Sequence, residues 1–315
     1  MVASVLVTGG AGFIGSHTVD LLLEKGYYVV VLDNFRSGFL RNLSHVIENK
    51  NVEIVKGDIC DKEIVERVME KVDGVIHLAA VVSVDEAIKD PFSTFRINVI
   101  GTLNLLEAAR KYGVEKFVYA SSTAVYGEPM FLPVKENHPT QPTNPYGASK
   151  LAGESLVVSY NKTYGLRTIA LRYFNVYGPR MTVGPYAGVI AKFITATLNG
   201  KDLVIYGDGS QTRDFIYVKD VAKANLVALE SSEIGVFNIG TGHETSISEL
   251  ARIIMDLAGK KCSIRYASER PGDIKRSVAD IQKAINLLNW RPETDLIRGL
   301  KLTIEYFSQQ RLGKR

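Results

Sequence analysis

The chain has 315 residues, of which 46% are hydrophobic and 23% are charged, and its formal net charge at pH 7 is +4. This composition is typical of a folded globular protein and excludes a disordered chain, a collagen-like repeat and a coiled coil. The positive charges are spread along the chain apart from a basic tail, Arg311–Arg315, so nucleic acid is not expected as a partner. The length allows one large domain or two coupled domains.

Cysteine and histidine spacing indicates a reduced compartment and no metal site. The two cysteines, Cys60 and Cys262, lie far apart with no CxxC pattern, and the five histidines show no ligand spacing. The apolar run Val5–Val7 breaks into glycines at once, so it predicts neither a signal peptide nor a membrane span. We therefore expect a cytoplasmic protein with no membrane association.

The first half of the chain alternates short β-branched apolar runs with helix-like stretches, which is the pattern of βα units on a parallel sheet. The runs are continuous rather than alternating, so they are expected to be buried on both faces. Gly26 and Gly113 are expected to end helices in the left-handed conformation. The predicted strands are Val5–Thr8, Val29–Leu32, Val52–Val55, Gly74–Leu78, Phe117–Ala120 and Arg167–Phe174.

The first predicted strand runs directly into three glycines spaced by three, Gly9, Gly12 and Gly15. Glycine at these positions permits a tight turn, close approach of the backbone to a pyrophosphate, and close packing of the following helix. The helix N-terminus then offers N–H groups and a partial positive charge to the phosphates. The strand-to-helix context predicts a dinucleotide site, whereas the glycine motif alone would be weak.

An acidic residue, Asp33, ends the second predicted strand. A carboxylate there can accept hydrogen bonds from both ribose hydroxyls of adenosine and repels a 2′-phosphate, which favours NAD over NADP. Arg36 leaves the alternative open, because it could pair with such a phosphate. Asp58 and Ile59 follow the third predicted strand, where Asp58 could contact adenine or cap the next helix.

Two further signals lie between residues 119 and 150. Ser121 and Ser122 follow the fifth predicted strand, at the sheet edge where ligands bind, and either hydroxyl could polarise a substrate oxygen or only cap the backbone. Tyr146 and Lys150 are i and i+4 on a helix that we expect to begin after Asn144. A tyrosine with a pKa of about 10 needs a nearby cation to act as a base at neutral pH.

Beyond residue 175 the spacing becomes irregular, with clusters of glycine and proline. The predicted fold is therefore α/β, a Rossmann-type doubly wound parallel sheet with a smaller C-terminal α/β substrate domain. We predict a cofactor domain over residues 1–175 and a substrate domain over residues 176–315, with some segments of the second returning to the first.

These residues together resemble a known family, the extended short-chain dehydrogenases/reductases (SDRs), and within it the UDP-galactose 4-epimerase type. The resemblance extends over nearly the whole chain. Its motifs run in order from TGGAGFIG through HLAA, NVIGT, SSTAVYG, YGASK, LRYFNVYGP and RDFIYVKD to RPGD and LNWRP.

The resemblance implies roles for individual residues. It places the catalytic hydroxyl on Ser122, the general base on Tyr146 and the supporting lysine on Lys150. The NAD contacts that it implies, including the residues already named, are Gly9, Gly12, Phe13, Ile14, Gly15, Asp33, Asn34, Phe35, Arg36, Ser37, Gly38, Asp58, Ile59, Leu78, Ala79, Ala80, Val82, Asn98, Ser121, Tyr146, Lys150 and Phe174. The UDP-sugar contacts that it implies are Ser122, Tyr146, Asn175, Val189, Val204, Tyr206, Arg213, Arg270, Asp273 and Ser277.

The chemistry of the side chains supports part of the roles that the resemblance implies. Arginine offers a planar fork for a diphosphate, although Arg213 and Arg270 could equally form surface ion pairs, and Asp273 could instead stabilise a turn. The small Ser277 is expected to leave room in the sugar pocket for a 2-acetamido group.

The implied activity is NAD-dependent 4-epimerisation of UDP-glucose and UDP-galactose, with the N-acetylated pair as a further hypothesis, through a transient 4-keto sugar. The resemblance also implies a homodimer formed through helices like Val99–Tyr112 and Pro145–Tyr164. Thr123 and Ala124 stand where sugar 4,6-dehydratases carry acids, so elimination of water is disfavoured. The alternatives are a UDP-glucuronate 4-epimerase and a non-catalytic NAD(H)-binding regulator; the intact Tyr146 and Lys150 favour an enzyme over the regulator.

Overall fold

The computed structural model describes residues 3–184, 187–269 and 272–312. All six strands predicted from the sequence are present, with bounds that differ by at most two residues at either end. The described strands are β1 Ser4–Thr8, β2 Tyr28–Asp33, β3 Val52–Lys56, β4 Gly74–His77, β5 Lys116–Ser122, β6 Thr168–Tyr173, β7 Asn175–Tyr177, β8 Leu203–Tyr206, β9 Thr212–Arg213, β10 Phe215–Tyr217, β11 Gly235–Ile239, β12 Thr245–Ser246 and β13 Ile264–Ala267.

In the first half of the chain, helices alternate with the strands along the sequence. A π-helical turn at Arg96–Gly101 leads into the fifth helix, and short 3-10 turns lie at Leu40–Asn42 and Thr123–Val125. The described α-helices are α1 Phe13–Glu24, α2 Lys62–Met69, α3 Val84–Lys89, α4 Pro91–Phe95, α5 Thr102–Lys111, α6 Pro145–Tyr164, α7 Val189–Leu198, α8 Val218–Glu230, α9 Ile247–Leu257, α10 Gln282–Leu288 and α11 Leu296–Leu312.

Seven of the described strands form one parallel sheet in the order β11-β6-β5-β4-β1-β2-β3. The chain moves outward from β1 to β3 and then crosses back past β1 to β4. The strand order therefore reverses between β1 and β4, and the connections that leave the carboxyl ends of these two paired strands run in opposite directions, which leaves a crevice there. The predicted Rossmann-type fold is confirmed.

Both faces of the sheet are covered, which explains why its strands are continuous apolar runs. Successive side chains of a strand point to opposite faces. Val5 and Val7 accordingly pack in one core cluster with Leu22 of α1, whereas Leu6 packs in the opposite cluster with Leu105 of α5. Each of these side chains is fully buried.

Helix α6 begins and ends at the residues expected from its sequence. The Asn144 side chain accepts a hydrogen bond from the Gly147 N–H (2.9 Å), and Pro145 occupies the first turn, where its missing N–H costs nothing. Gly165 ends the helix at φ 72°. The expected left-handed glycines are also confirmed at Gly26 and Gly113. These signals fix the register of α6, and with it the positions of Tyr146 and Lys150.

From residue 175 onward, the described part of the chain forms three two-stranded sheets and a third apolar cluster centred on α7, α9 and α11. It also contributes to the large sheet, because β11 pairs with β6 and α8 packs in the same core cluster as α1. The domain boundary at residue 175 stays a prediction. None of the helices in the described ranges is both long enough and apolar enough to cross a membrane.

Candidate active site

A cavity of about 830 Å³ opens at the carboxyl ends of β1, β2, β4, β5 and β6. Most of the residues that the sequence singled out line it, although they come from segments far apart in the chain. The predicted residues that line the cavity are Gly9, Gly12, Phe13, Ile14, Gly15, Asp33, Asn34, Arg36, Ser37, Gly38, Asp58, Ile59, Leu78, Ala79, Ala80, Val82, Ser121, Ser122, Tyr146, Lys150, Phe174, Asn175 and Val189.

The glycine loop can be formed only by glycine. Gly9 has φ 70°, and a Cβ on it would lie 2.8 Å from the Ala79 backbone nitrogen. A Cβ on Gly15 would lie 2.1 Å from the Gly9 carbonyl oxygen. No side chain caps α1 at Gly12, so the first N–H groups of this helix stay available at the cavity wall. The loop is a narrow cradle with donors, as a pyrophosphate requires.

The Asp33 carboxylate is fixed by its own backbone surroundings. Its Oδ2 accepts from the Ala11 N–H (3.0 Å) and its Oδ1 from the Phe35 N–H (2.8 Å). A Cβ on Gly38 would lie 2.8 Å from Oδ2, so a larger residue there would displace the acid. Burial raises the pKa of Asp33, while the two backbone hydrogen bonds lower it. Phe35 adopts φ 57° and does not line the cavity, unlike its neighbours.

Asp58 combines the two roles that the sequence left open. Its Oδ1 accepts from the Cys60 N–H (2.9 Å), which stabilises the turn, and its Oδ2 accepts from Asn34 Nδ2 (3.1 Å). These contacts lower its pKa against the opposing effect of burial. Asp58 also lines the cavity, so one side chain both holds the turn and contributes to the wall.

The structure separates the two candidate serines. Ser122 shares a side-chain hydrogen bond with Tyr146 and accepts from the Ala124 N–H (3.1 Å). Ser121 instead donates to Glu154 (2.6 Å). Burial raises the pKa of Tyr146, and the hydrogen bond to Ser122 lowers it. Any lowering of that pKa by a neighbouring positive charge must therefore overcome desolvation.

Lys150 is held almost entirely inside the protein, with 4% of its surface exposed. Its Nζ donates to the Ala120 carbonyl oxygen (2.8 Å) and lies 5.2 Å from the centroid of the Tyr119 ring. Burial lowers the pKa of Lys150 to about 7. The ammonium is thus fixed at the inner wall of the cavity, and its pKa lies close to neutral pH.

A buried ion pair supports this helix, and the sequence analysis missed it. Glu154 lies one turn beyond Lys150, and Arg172 of β6 binds it through two nitrogens, with Nε 2.9 Å from Oε2. Arg172 also donates to the Tyr126 hydroxyl (2.8 Å). The four-residue spacing of Tyr146, Lys150 and Glu154 was a signal that could have identified the acid.

A second buried network, also missed, joins the glycine loop to the start of α5. Thr102 donates to the Asn98 carbonyl oxygen (2.7 Å), so its oxygen accepts from His77 Nε2 (2.9 Å) and His77 Nδ1 accepts from Thr8 (2.7 Å). This pattern fixes the tautomer of His77 as neutral with the proton on Nε2. Burial and the nearby Lys150 lower the pKa of His77 to about 3.

Asn98, a predicted cofactor contact, does not line the cavity. Its side chain accepts from the Val81 N–H (2.8 Å) and donates to the Val81 carbonyl (3.0 Å) and to Ser149 (2.9 Å). Ser149 in turn donates to the Tyr146 carbonyl oxygen (2.8 Å). Asn98 therefore holds the 78–82 loop against the first turn of α6.

The predicted sugar-nucleotide residues divide into two groups. Asn175 and Val189 line the cavity, and the buried Oδ1 of Asn175 has no hydrogen-bond partner. The lining also includes Met181, Thr182 and Phe215, which the sequence analysis did not single out. The predicted residues that do not line the cavity are Val204, Tyr206, Arg213, Asp273 and Ser277.

Arg213 and Asp273 pair with each other, and Arg213 also donates to the carbonyl oxygens of Thr212 (2.8 Å) and Ile274 (2.6 Å). These contacts fix the position of the Arg213 guanidinium beside Asp273 and Ile274. Ser277 is buried outside the cavity, so its predicted place in a sugar pocket stays a prediction.

Arg270 lies outside the described residues. In the described ranges no three His, Cys, Asp or Glu side chains form a metal-binding group.

Comparison with known proteins gives a consistent match along the chain. The sequence profile of the family described as GDP-mannose 4,6 dehydratase matches residues 6–303. A Methanocaldococcus jannaschii protein assigned as a UDP-glucose 4-epimerase is 48% identical over 304 residues, covering 96% of this chain and 97% of the relative.

Solved structures of similar proteins superpose over almost the whole chain. The Methanobrevibacter ruminantium UDP-N-acetylglucosamine 4-epimerase with UDP-N-acetylmuramic acid has a TM-score of 0.94 at 42% identity, covering 98% of this chain and 99% of its own. The Thermus thermophilus UDP-glucose 4-epimerase with NAD has 0.90 at 42%, covering 97% and 99%. The Bacillus cereus UDP-glucuronic acid 4-epimerase with UDP-glucuronic acid and NAD has 0.91 at 35%, covering 98% and 99%.

In the cofactor-free protein, we expect Lys150→Met to reduce the increase in folding stability that accompanies a rise in pH above 7. The pKa of Lys150 is about 7 in the folded state and about 10.4 in an unfolded chain. Between these values the unfolded state binds more protons, so this lysine makes stability rise with pH. Urea unfolding midpoints at pH 7, 8 and 9 should therefore rise more in the wild type than in Lys150→Met.

Lys162→Met, at an exposed position of the same helix, is the matched control and should follow the wild type across this pH range. Parallel pH curves for wild type and Lys150→Met would show that Lys150 has no lowered pKa.

Proposed function

The chain belongs to the GDP-mannose 4,6-dehydratase family of extended SDRs, and we propose that it is an NAD-dependent UDP-sugar 4-epimerase. The observation that carries the proposal is the half-buried Tyr146, hydrogen-bonded to Ser122, in a wall of the dinucleotide cavity that Lys150 also lines. The named relatives and structural neighbours are UDP-sugar 4-epimerases, which supports the same reaction class.

The cavity suits NAD. The glycine cradle would hold the pyrophosphate, because a Cβ at Gly9 or Gly15 would collide with backbone atoms. The fixed Asp33 carboxylate would accept from the adenosine ribose. The Thermus and Bacillus cereus neighbours contain NAD. NAD, when bound, supplies the acceptor for the hydride of the sugar C4 and later returns it.

The protein residues carry the proton chemistry. We assign to Tyr146 the removal of the proton from the sugar 4-hydroxyl. Tyr146 returns this proton after the keto sugar has rotated in the site. Burial raises the pKa of Tyr146, and Ser122, which donates to the tyrosine oxygen and stabilises its phenolate, opposes this rise. Lys150, when protonated, adds a positive charge that favours the same phenolate.

The cavity wall beyond Tyr146 fits a sugar that must present both faces in turn. Met181, Val189 and Phe215 offer apolar contacts, which do not fix one orientation of a polyhydroxylated ring. Asn175 supplies an unpartnered buried acceptor that a hydroxyl or N–H group of the ligand would satisfy. A 4-keto sugar held this loosely can rotate before it is reduced on its other face.

Two residues argue against elimination of water. Thr123 lines the cavity next to Ser122, and Ala124 follows it. Neither side chain can exchange a proton at neutral pH, whereas loss of water needs an acid for the leaving hydroxyl. A non-catalytic NAD(H)-binding regulator is also disfavoured, because it would not need the ordered contact between Tyr146 and Ser122.

For the substrate we propose UDP-glucose and UDP-galactose, with UDP-GlcNAc and UDP-GalNAc also turned over. The relative from Methanocaldococcus jannaschii supports the first pair, and the Methanobrevibacter neighbour supports the second. The small Ser277 gives less support to the N-acetylated substrates than its sequence position suggests, because its buried side chain lies outside the cavity. UDP-glucuronate is the alternative, and the Bacillus cereus neighbour is the reason to test it.

Tyr146→Phe should abolish epimerisation, by about 1000-fold or more, while NAD still binds, because only the phenolic oxygen is lost. Activity is measured by separating C4 epimers after incubation, and NAD content by release on denaturation. Tyr164→Phe, at the exposed end of the same helix, is the control and should keep full activity. Activity of Tyr146→Phe near the wild-type level would refute the assigned mechanism.

Incubation with UDP-glucose, UDP-GlcNAc and UDP-glucuronate in parallel, without added cofactor, should give C4 epimers of the first two. Product without added NAD is expected because the hydride returns to the same sugar. An epimer from UDP-glucuronate alone would replace our substrate assignment by the alternative. No epimer from any of the three, with NAD bound, would favour a regulator.

We also propose a homodimer. Phe92 is 89% exposed and Ile100 is 48% exposed, in elements that pack beside α6, so association would remove them from water. Ile100→Glu should shift the molar mass from light scattering toward the monomer. Ile297→Glu, exposed on α11, is the control and should leave the mass unchanged. A monomeric wild type would contradict the proposal.

A further inference from the structure

The end of the cavity that follows β2 has an unusual balance of charge. Asp33, Asp58 and Glu86 line it as acids, and Arg36 lines it as a cation. This is the same end at which Asp33 is placed to accept from an adenosine ribose. The sequence left the role of Arg36 open, because an arginine here could bind the 2′-phosphate of NADP.

Arg36 is already paired in the structure. Its guanidinium forms an ion pair with the Glu86 carboxylate, on the first turn of α3. The Arg36 N–H donates to Asn34 Oδ1 (3.0 Å), which fixes the backbone of the loop. On the other side, the Ser83 hydroxyl accepts from the Glu86 N–H (3.2 Å) and fixes the start of α3. Both partners are therefore positioned by local backbone contacts.

The pairing has a direct electrostatic consequence for cofactor choice. A phosphate monoester carries a charge of about −1.5 to −2 at pH 7, and arginine binds such a group as a planar fork. With Arg36 paired to Glu86, a 2′-phosphate would meet the negative charges of Asp33 and Asp58, while the guanidinium that lines this end of the cavity is already neutralised. The two hydroxyls of a diol at the same position can both donate to the Asp33 carboxylate.

We propose that Glu86 is a specificity-determining residue, which pairs with Arg36 and so withholds the guanidinium from the 2′-phosphate of NADP. Asp33 repels the 2′-phosphate by its own charge. Glu86 neutralises Arg36, the cation that would otherwise offset this repulsion. The inference rests on the dinucleotide site of the proposed function, although not on the sugar or the reaction.

The test measures binding of NADH and NADPH to cofactor-stripped protein by cofactor fluorescence. Glu86→Gln keeps the size of the side chain and removes its charge, so Arg36 becomes available. We expect the affinity for NADPH relative to NADH to rise about fivefold, the upper range for one exposed ion pair. The preference for NADH should narrow without reversing, because Asp33 is unchanged. The gain should decrease with added salt.

Two matched variants separate pairing from net charge. Asp85→Asn makes the same charge change at the exposed neighbouring position and should alter the ratio less than twofold. In an Arg36→Ala background, Glu86→Gln should have less than a twofold effect, because the guanidinium that it would release is gone. Circular dichroism checks that each variant is folded.

The outcomes that overturn the inference are distinct. An unchanged ratio in Glu86→Gln refutes a role for Glu86. An equal gain in Asp85→Asn shows that net charge alone is responsible. A full gain in the Arg36→Ala background shows direct repulsion by Glu86. Each of these leaves NADH binding and the proposed function intact, whereas a wild type that binds neither cofactor would refute both.

Discussion

The rest of the site depends on the burial of a polar helix face. Helix α6 carries Tyr146, Lys150 and Glu154 at four-residue intervals against the sheet, and an ionised group taken out of water needs a partner. Arg172 and Ser121 satisfy Glu154, and the Ala120 carbonyl satisfies Lys150. These partners lie on neighbouring strands of one sheet, so compensation of the charges and placement of the helix have the same physical origin.

The sequence predicted the elements whose signals are local. Apolar runs, the Asn144 cap and glycines such as Gly9 are determined by nearby backbone sterics and hydrogen bonds, so they can be read from short segments. The pair Glu154 and Arg172 could not be predicted as a pair, because its members come together only when β6 aligns beside β5.

The same reasoning applies to two of the predicted site residues, whose contacts within the protein depend on segments that are distant in sequence. The motif around Asn98 indicates a cofactor contact, which stays a prediction, and its amide contacts Val81 and Ser149 in the structure. For Arg213 the sequence left a diphosphate contact and an ion pair both open, and in the structure it contacts Asp273 and two carbonyl oxygens. A side chain with many donors can bind protein or ligand equally well, and only the fold determines which is within reach.

The pairing of β11 with β6 has a consequence for synthesis on the ribosome. Strand β6 lies at residues 168–173 and its outer neighbour β11 at residues 235–239, so β11 emerges later by about sixty residues. During that interval the outer edge of β6 presents unpaired N–H and C=O groups, which other strands can bind. The nascent sheet therefore spends a stage of translation with an open edge, which chaperone contact or fast elongation would protect.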